Sequence, residues 1–177
     1  EQFEDLANSI DVIYHSGAWV NFVYPYSALR DTNVQGTQEI LRLASWRQTR
    51  PVHFVSTLSV FSETYADQGL VLETDLPLAE EDLQTGYGQS KWVAEQLVRE
   101  AQNRGLPATI HRFGTLVGDS RMGMTHKPND FFFSLIKGCL QLGKAPHLLG
   151  QINLTPVNYA TQAMVYLTQQ STNWGQT

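Results

Sequence analysis

Val52-His53-Phe54-Val55-Ser56-Thr57-Leu58-Ser59 is the stretch that decides the fold. It opens with a short, mostly apolar run, Val52 to Ser56, set off upstream by Pro51, and such a run reads as a buried strand. Hydroxyls at positions 56, 57 and 59 then fall at or just past the strand's carboxyl end. In open α/β sheets that edge is where ligands bind. Taken alone, the same hydroxyls suit turn chemistry at a strand end.

The pattern repeats on both sides. Upstream, Ile10 to Tyr14 reads as a strand running out at Gly17. An aromatic loop follows, Trp19 to Tyr26, broken by Pro25, and then a helix from Ser27 to Trp46 with Val34, Leu41 and Ala44 on one face. Downstream, 61–84 is a long acidic stretch containing Pro77, and connections of that length are commonly functional covers or disordered. Thr85 to Asn103 reads as a helix stopped by Arg104-Gly105 and Pro107, and Ala108 to His111 as the third strand. A helix from Asp130 to Leu142, capped by Asn129 or Asp130 and stopped by Gly143, and an amphipathic helix from Asn158 to Gln170 complete the chain. Strand, helix, strand, helix, strand predicts an α/β fold with a parallel sheet and helices on both faces. The composition shifts near Arg121, which suggests a second lobe from there.

Composition bounds the function. The 177 residues are 42% hydrophobic and 16% charged, which suits one sizeable core. The net charge is −5 and no Lys/Arg cluster occurs, so nucleic acid is not an expected partner. The single cysteine, Cys139, excludes an internal disulfide and a Cys-based zinc site, and fits a reducing, cytoplasmic setting. His15, His53 and His111 lie on or beside predicted strands and read as packed or hydrogen-bonded residues, with no metal-ligand spacing among them. No apolar run reaches the roughly 20 residues a membrane span needs.

The chemistry sits on Tyr87-Gly88-Gln89-Ser90-Lys91, at the start of a predicted helix. Residues four apart are neighbours on one helix face. An ammonium about 4 Å from a phenol, at an effective dielectric of about 20, favours the phenolate by roughly 4 kcal/mol, about three pKa units at most. That would bring tyrosine into range for acid–base work. The pair alone is a weak signal, since a solvated helix face with one aromatic neighbour explains it about as well.

With Asp11-Val12-Ile13-Tyr14-His15-Ser16-Gly17-Ala18, Asn33-Val34-Gln35-Gly36-Thr37, Val55 to Val60, Tyr87 to Lys91 and Arg112 to Asp119 taken in order, the chain resembles the extended short-chain dehydrogenase/reductases. Asn129-Asp130-Phe131, Leu135 to Gly143 and Thr155-Pro156-Val157-Asn158 make it most similar to their thioester reductase branch, found at the ends of non-ribosomal peptide synthetases and in aminoadipate and carboxylic acid reductases. The resemblance implies a partial NAD(P)-binding Rossmann domain over 1–120, and part of a substrate-binding lobe with a returning helix over 121–177. It implies that Thr57 bonds the substrate carbonyl, that Tyr87 donates the proton, and that Lys91 tunes Tyr87 and binds the nicotinamide ribose. Gly17 and Ala18 would let the backbone approach the cofactor, with Ser56 beside them. Gly114, Thr115 and Leu116 would line the nicotinamide pocket, and Asn33 would brace the site. Phe131-Phe132-Phe133 reads as core, or under the resemblance as the wall of an acyl channel. The implied cofactor is NADPH, with NADH as the alternative. The implied partner is an acyl-phosphopantetheine carrier domain on the same polypeptide.

One element of the pattern is missing. A Rossmann unit carries a glycine-rich turn after its first strand to hold pyrophosphate. Gly17 is the sole glycine among the first thirty residues, and Gly86-Tyr87-Gly88-Gln89-Ser90-Lys91 has Lys where that motif needs its last glycine. The expectation is therefore a chain beginning partway through a reductase domain, without the N-terminal βαβ unit. The expected reaction is reductive release of a carrier-bound thioester as an aldehyde or alcohol. The competing readings are a sugar-nucleotide epimerase or dehydratase, a fatty acyl-CoA reductase, and a silent Rossmann-like binding module. A hydrolase is excluded by the lack of a Gly-x-Ser-x-Gly elbow.

Overall fold

The computed structural model describes residues 2–62, 70–77, 83–123, 131–147 and 152–170. The N-cap expected at Asn129 or Asp130 and parts of the 61–84 stretch lie outside them. The chain forms two compact units, Glu1–Phe113 with Met164–Thr177, and Gly114–Ala163.

The first unit is built on three parallel strands, β1 (Ile13–His15), β2 (Val52–Thr57) and β3 (Ala108–Phe113), in the order β1-β2-β3. Ile13 pairs with Val52, and Val52 with Ala108. The strand expected from Ile10 begins three residues later. Ile10 instead accepts a hydrogen bond from the buried Arg50 side chain at the end of an N-terminal helix, α1 (Gln2–Ser9), whose apolar residues Phe3, Leu6 and Ala7, with Ile10 just beyond, carry the helical spacing that the strand reading passed over. Arg50 also donates to the carbonyls of Ala7, Trp46 and Gln48, so one guanidinium satisfies carbonyls at the ends of two helices.

The helix predicted over 27–46 forms in three parts: α2 (Tyr26–Arg30), a π-helical turn (Asp31–Gln35) and α3 (Gly36–Ala44). The π turn widens the helix at Asn33, where side-chain bonds compete with the regular ladder. Thr37 Oγ1 donates to the Asn33 carbonyl at 2.7 Å. Helix α4 (Gly86–Asn103) packs Ala94 and Val98 against Val52, Phe54, Ala108 and Ile110 to make the core. β2 is buried on both faces, and its polar members His53 and Ser56 are tolerated there because they are hydrogen-bonded, to Thr109 and Glu95, each at 2.7 Å.

The second unit holds a parallel pair of short strands, β4 (Thr115–Val117) and β5 (Leu154–Pro156), and helix α5 (Phe131–Leu142). Helix α6 (Val157–Thr168) begins there, and its last turns, from Met164, belong to the first unit. Phe132 and Phe133 are half-buried rather than core and meet edge-on at 6.1 Å. Among the described residues no helix is long and apolar enough to cross a membrane, and no group of three metal-ligating side chains forms.

Candidate active site

Three residues from two elements meet at the carboxyl end of β2. Thr57 ends the strand and caps a short 3₁₀ turn, Leu58–Val60, by accepting the Ser59 amide at 3.1 Å. Its hydroxyl donates to Ser59 Oγ at 3.2 Å. Tyr87, in the first turn of α4, is buried beside the Thr57 side chain. Lys91, one turn on, is 3% exposed, donates to the Val55 carbonyl at 2.8 Å, and stands 4.0 Å over the Phe54 ring.

Glycine makes this approach possible. A Cβ on Gly86 would come within 2.6 Å of the Tyr24–Tyr26 backbone, and one on Gly88 would meet the Ser59 carbonyl at 2.6 Å. Both glycines let backbone pack directly on the start of α4, which explains the Gly-Tyr-Gly spacing without any phosphate role. Thr85 caps the helix by accepting the Gly88 amide at 3.0 Å.

The electrostatics correct one expectation. The Tyr87–Lys91 spacing predicts a tyrosine pulled toward its phenolate. Burial instead raises its pKa, opposed by the neighbouring Thr57 side chain, and the Lys91 ammonium is turned to the Val55 carbonyl. Tyr87 is therefore a neutral phenol with a proton to give. Lys91 itself is lowered to about 8, chiefly by burial, with the Glu95 charge opposing. Three N–H donors and one carbonyl partner leave the ammonium able to bond a further acceptor.

The other expected residues divide. Asn33 joins the cluster: its amide oxygen accepts the Trp19 amide at 2.7 Å, and its nitrogen donates to the Trp19 carbonyl at 3.1 Å and to Ser90 Oγ at 2.9 Å. Ser90 in turn donates to the Tyr87 carbonyl at 2.9 Å. Asn33 thus ties the aromatic loop to the tyrosine's own helical turn. Ser56 does not join: strand alternation turns it from Thr57, and its hydroxyl donates to Glu95 at 2.7 Å. Gly17 is exposed, and its missing Cβ would meet only the His15 ring, at 3.8 Å. Ala18 is half-buried beside it. Gly114 lies in the second unit, where a Cβ would meet Asn153 at 2.7 Å. Thr115 and Leu116, both exposed, pair with Leu154 and Thr155 across β4 and β5.

Sequence reasoning missed two supports. Phe22, from the aromatic loop, meets the Tyr87 ring edge-on at 5.5 Å. Glu95 is fully buried and accepts from Ser56, from Arg112 at 2.6 Å and from Arg99 at 3.2 Å. Its spacing from Lys91, one further helical turn, was the available signal.

The NAD-binding family described as Male sterility protein matches residues 1–164. A linear gramicidin synthase from Brevibacillus parabrevis is 46% identical over 175 residues, covering 97% of this chain and 3% of that one. L-2-aminoadipate reductase of Saccharomyces cerevisiae is 37% identical, covering 93% of this chain and 13% of its own length. The terminal R domain from the myxalamid PKS-NRPS biosynthetic pathway superimposes with a TM-score of 0.92 at 44% identity, covering 99% of this chain and 44% of that one. UDP-glucuronic acid 4-epimerase of Bacillus cereus, solved with NAD, reaches 0.72 at 23% identity and so shares the fold alone. The chain thus spans under half the length of these proteins, apart from the epimerase, where it covers 52%.

Proposed function

Because this chain belongs to the NAD-binding Male sterility family, and its relatives include a terminal reductase domain and aminoadipate reductase, we propose that it carries the catalytic residues of an NADPH-dependent thioester reductase. The substrate is an acyl group held as a phosphopantetheine thioester on a carrier domain of the same polypeptide. The observation that carries the proposal is the placing of Thr57 and a buried, neutral Tyr87 phenol at the end of β2, one turn before the buried Lys91 ammonium.

A reduction needs a proton donor, and a phenol whose pKa is raised is a better donor than a phenolate. A bound nicotinamide would supply the hydride for the thioester carbonyl. Thr57 and Tyr87 hydroxyls stabilise the negative charge that develops on the carbonyl oxygen, and Tyr87 gives it a proton. The product collapses to an aldehyde with release of the carrier thiol. Lys91 fits the nicotinamide ribose through its uncommitted N–H donors, and the side-chain-free surface at Gly17 admits close approach. Gly114, Thr115 and Leu116 are proposed for the nicotinamide pocket, and Ser56 for support of β2 through Glu95.

The test follows NADPH oxidation with an acyl-phosphopantetheine thioester, an acyl-CoA and a UDP-sugar. Thioester turnover is expected. Tyr87→Phe should lower it by at least about 100-fold, the usual contribution of a general acid, with cofactor affinity nearly unchanged. Full activity in that variant, or turnover confined to the UDP-sugar, would overturn the proposal.

A further inference from the structure

His15 ends β1 beside Gly17, and its two ring nitrogens are in different situations. Nε2 lies 2.9 Å from Thr37 Oγ1. Thr37 has one hydroxyl proton, and the 2.7 Å bond to the Asn33 carbonyl uses it. Nε2 must therefore carry the hydrogen and donate to Thr37. Burial and the neighbouring Lys91 charge keep the ring neutral, with a pKa of about 4. A neutral ring with hydrogen on Nε2 leaves Nδ1 as a bare acceptor. No described residue donates to it, and it lies on the Gly17 side, 3.9 Å from where a Cβ would sit. His15 and the Lys91 ammonium pack on the same Phe54 ring, at 5.5 Å between ring centres and 4.0 Å from ammonium to ring centre.

Donor and acceptor thus stand on one aromatic ring. An ammonium can only donate, so a hydroxyl that accepts from Lys91 must place its own proton elsewhere. We infer that His15 Nδ1 takes that proton as a hydrogen-bond acceptor, making His15 a cofactor-binding residue that recognises a ribose hydroxyl together with Lys91. The inference rests on the cofactor reading above. An anion at the same place would have no proton to offer Nδ1, so the pair selects a neutral hydroxyl. The Thr37 contact fixes the tautomer that makes this work.

The experiment measures binding, not turnover. NADPH and an analogue lacking the nicotinamide-ribose hydroxyls are titrated into the reductase with its glycine-rich turn included and into its His15→Phe variant, which keeps an aromatic ring against Phe54 but has no acceptor. NADPH should bind the variant about tenfold more weakly, the loss of one hydrogen bond, and the analogue should bind both proteins equally. Equal weakening for both ligands would overturn the assignment. In the wild-type protein, nitrogen NMR should show hydrogen on Nε2, and an Nδ1 signal that shifts with NADPH but not with the analogue. That measurement decides the matter even if the variant fails to fold. Hydrogen on Nδ1, or an unmoved signal at saturation, sinks the inference and leaves the proposed reaction standing. Failure of the wild-type reductase, assayed with the glycine-rich turn included, to bind either NADPH or NADH overturns both.

Discussion

Replacing Glu95 by glutamine separates charge from shape at the support of the catalytic helix. The carboxylate is fully buried and accepts from Ser56 at 2.7 Å, Arg112 at 2.6 Å and Arg99 at 3.2 Å. Glutamine keeps the volume but presents an NH₂ where every neighbour is a donor. Breaking a buried ion pair by removing one partner costs about 3–5 kcal/mol. The Arg112 side chain is 6% exposed and loses its counter-charge outright, whereas that of Arg99, at 19%, recovers part of its solvation. The expected loss is therefore near the lower end, about 3 kcal/mol. There is a second consequence. Glu95 is the charge that opposes the burial-driven lowering of Lys91. Without it the ammonium deprotonates at lower pH, so the alkaline limb of the rate profile should move down. Urea unfolding of the wild type, Glu95→Gln, Arg112→Met and the double variant measures the first effect, and the double variant should cost clearly less than the two singles added. A loss under about 1 kcal/mol, additive singles, or an unmoved alkaline limb would refute the reasoning.

Other perturbations probe separate parts of the structure. His15 and His53 are both held at about 4, each chiefly by burial, while the unfolded chain titrates near 6.5. The unfolded state then binds more protons, so stability is lost as pH falls from 6.5 to 4, by up to about 3 kcal/mol per histidine. Urea midpoints across that window check it, and His53→Phe should flatten the slope. Lys91, at about 8 folded against an ordinary 10.5, has the unfolded chain binding the extra proton between those values, so its contribution makes stability rise with pH there. An unchanged Lys91→Met profile between pH 8 and 10 would contradict this. Gly86→Ala drives a Cβ to within 2.4 Å of the Tyr26 amide nitrogen, so activity should fall with loosening of the aromatic loop. Unchanged kcat/KM and unchanged Phe22–Tyr87 contact would count against that.

The residues themselves determined the strand–helix alternation, because apolar runs of strand length and a capped amphipathic helix are local properties. They also determined that Thr57, Tyr87 and Lys91 share one edge: the end of β2 and the first turns of α4 are adjacent in any right-handed parallel unit. What no local pattern carried was direction and burial. Only the tertiary structure decided that Lys91 turns to the Val55 carbonyl and that Tyr87 is a buried neutral phenol, since desolvation depends on every element packed around it. The same holds for the β4–β5 pair, whose two three-residue strands are too short to show a period and find their register only across the fold. It holds for Glu95 and Arg50 as well. As letters they are surface residues, and they are buried because their partners, from other elements, satisfy their charges and hydrogen bonds.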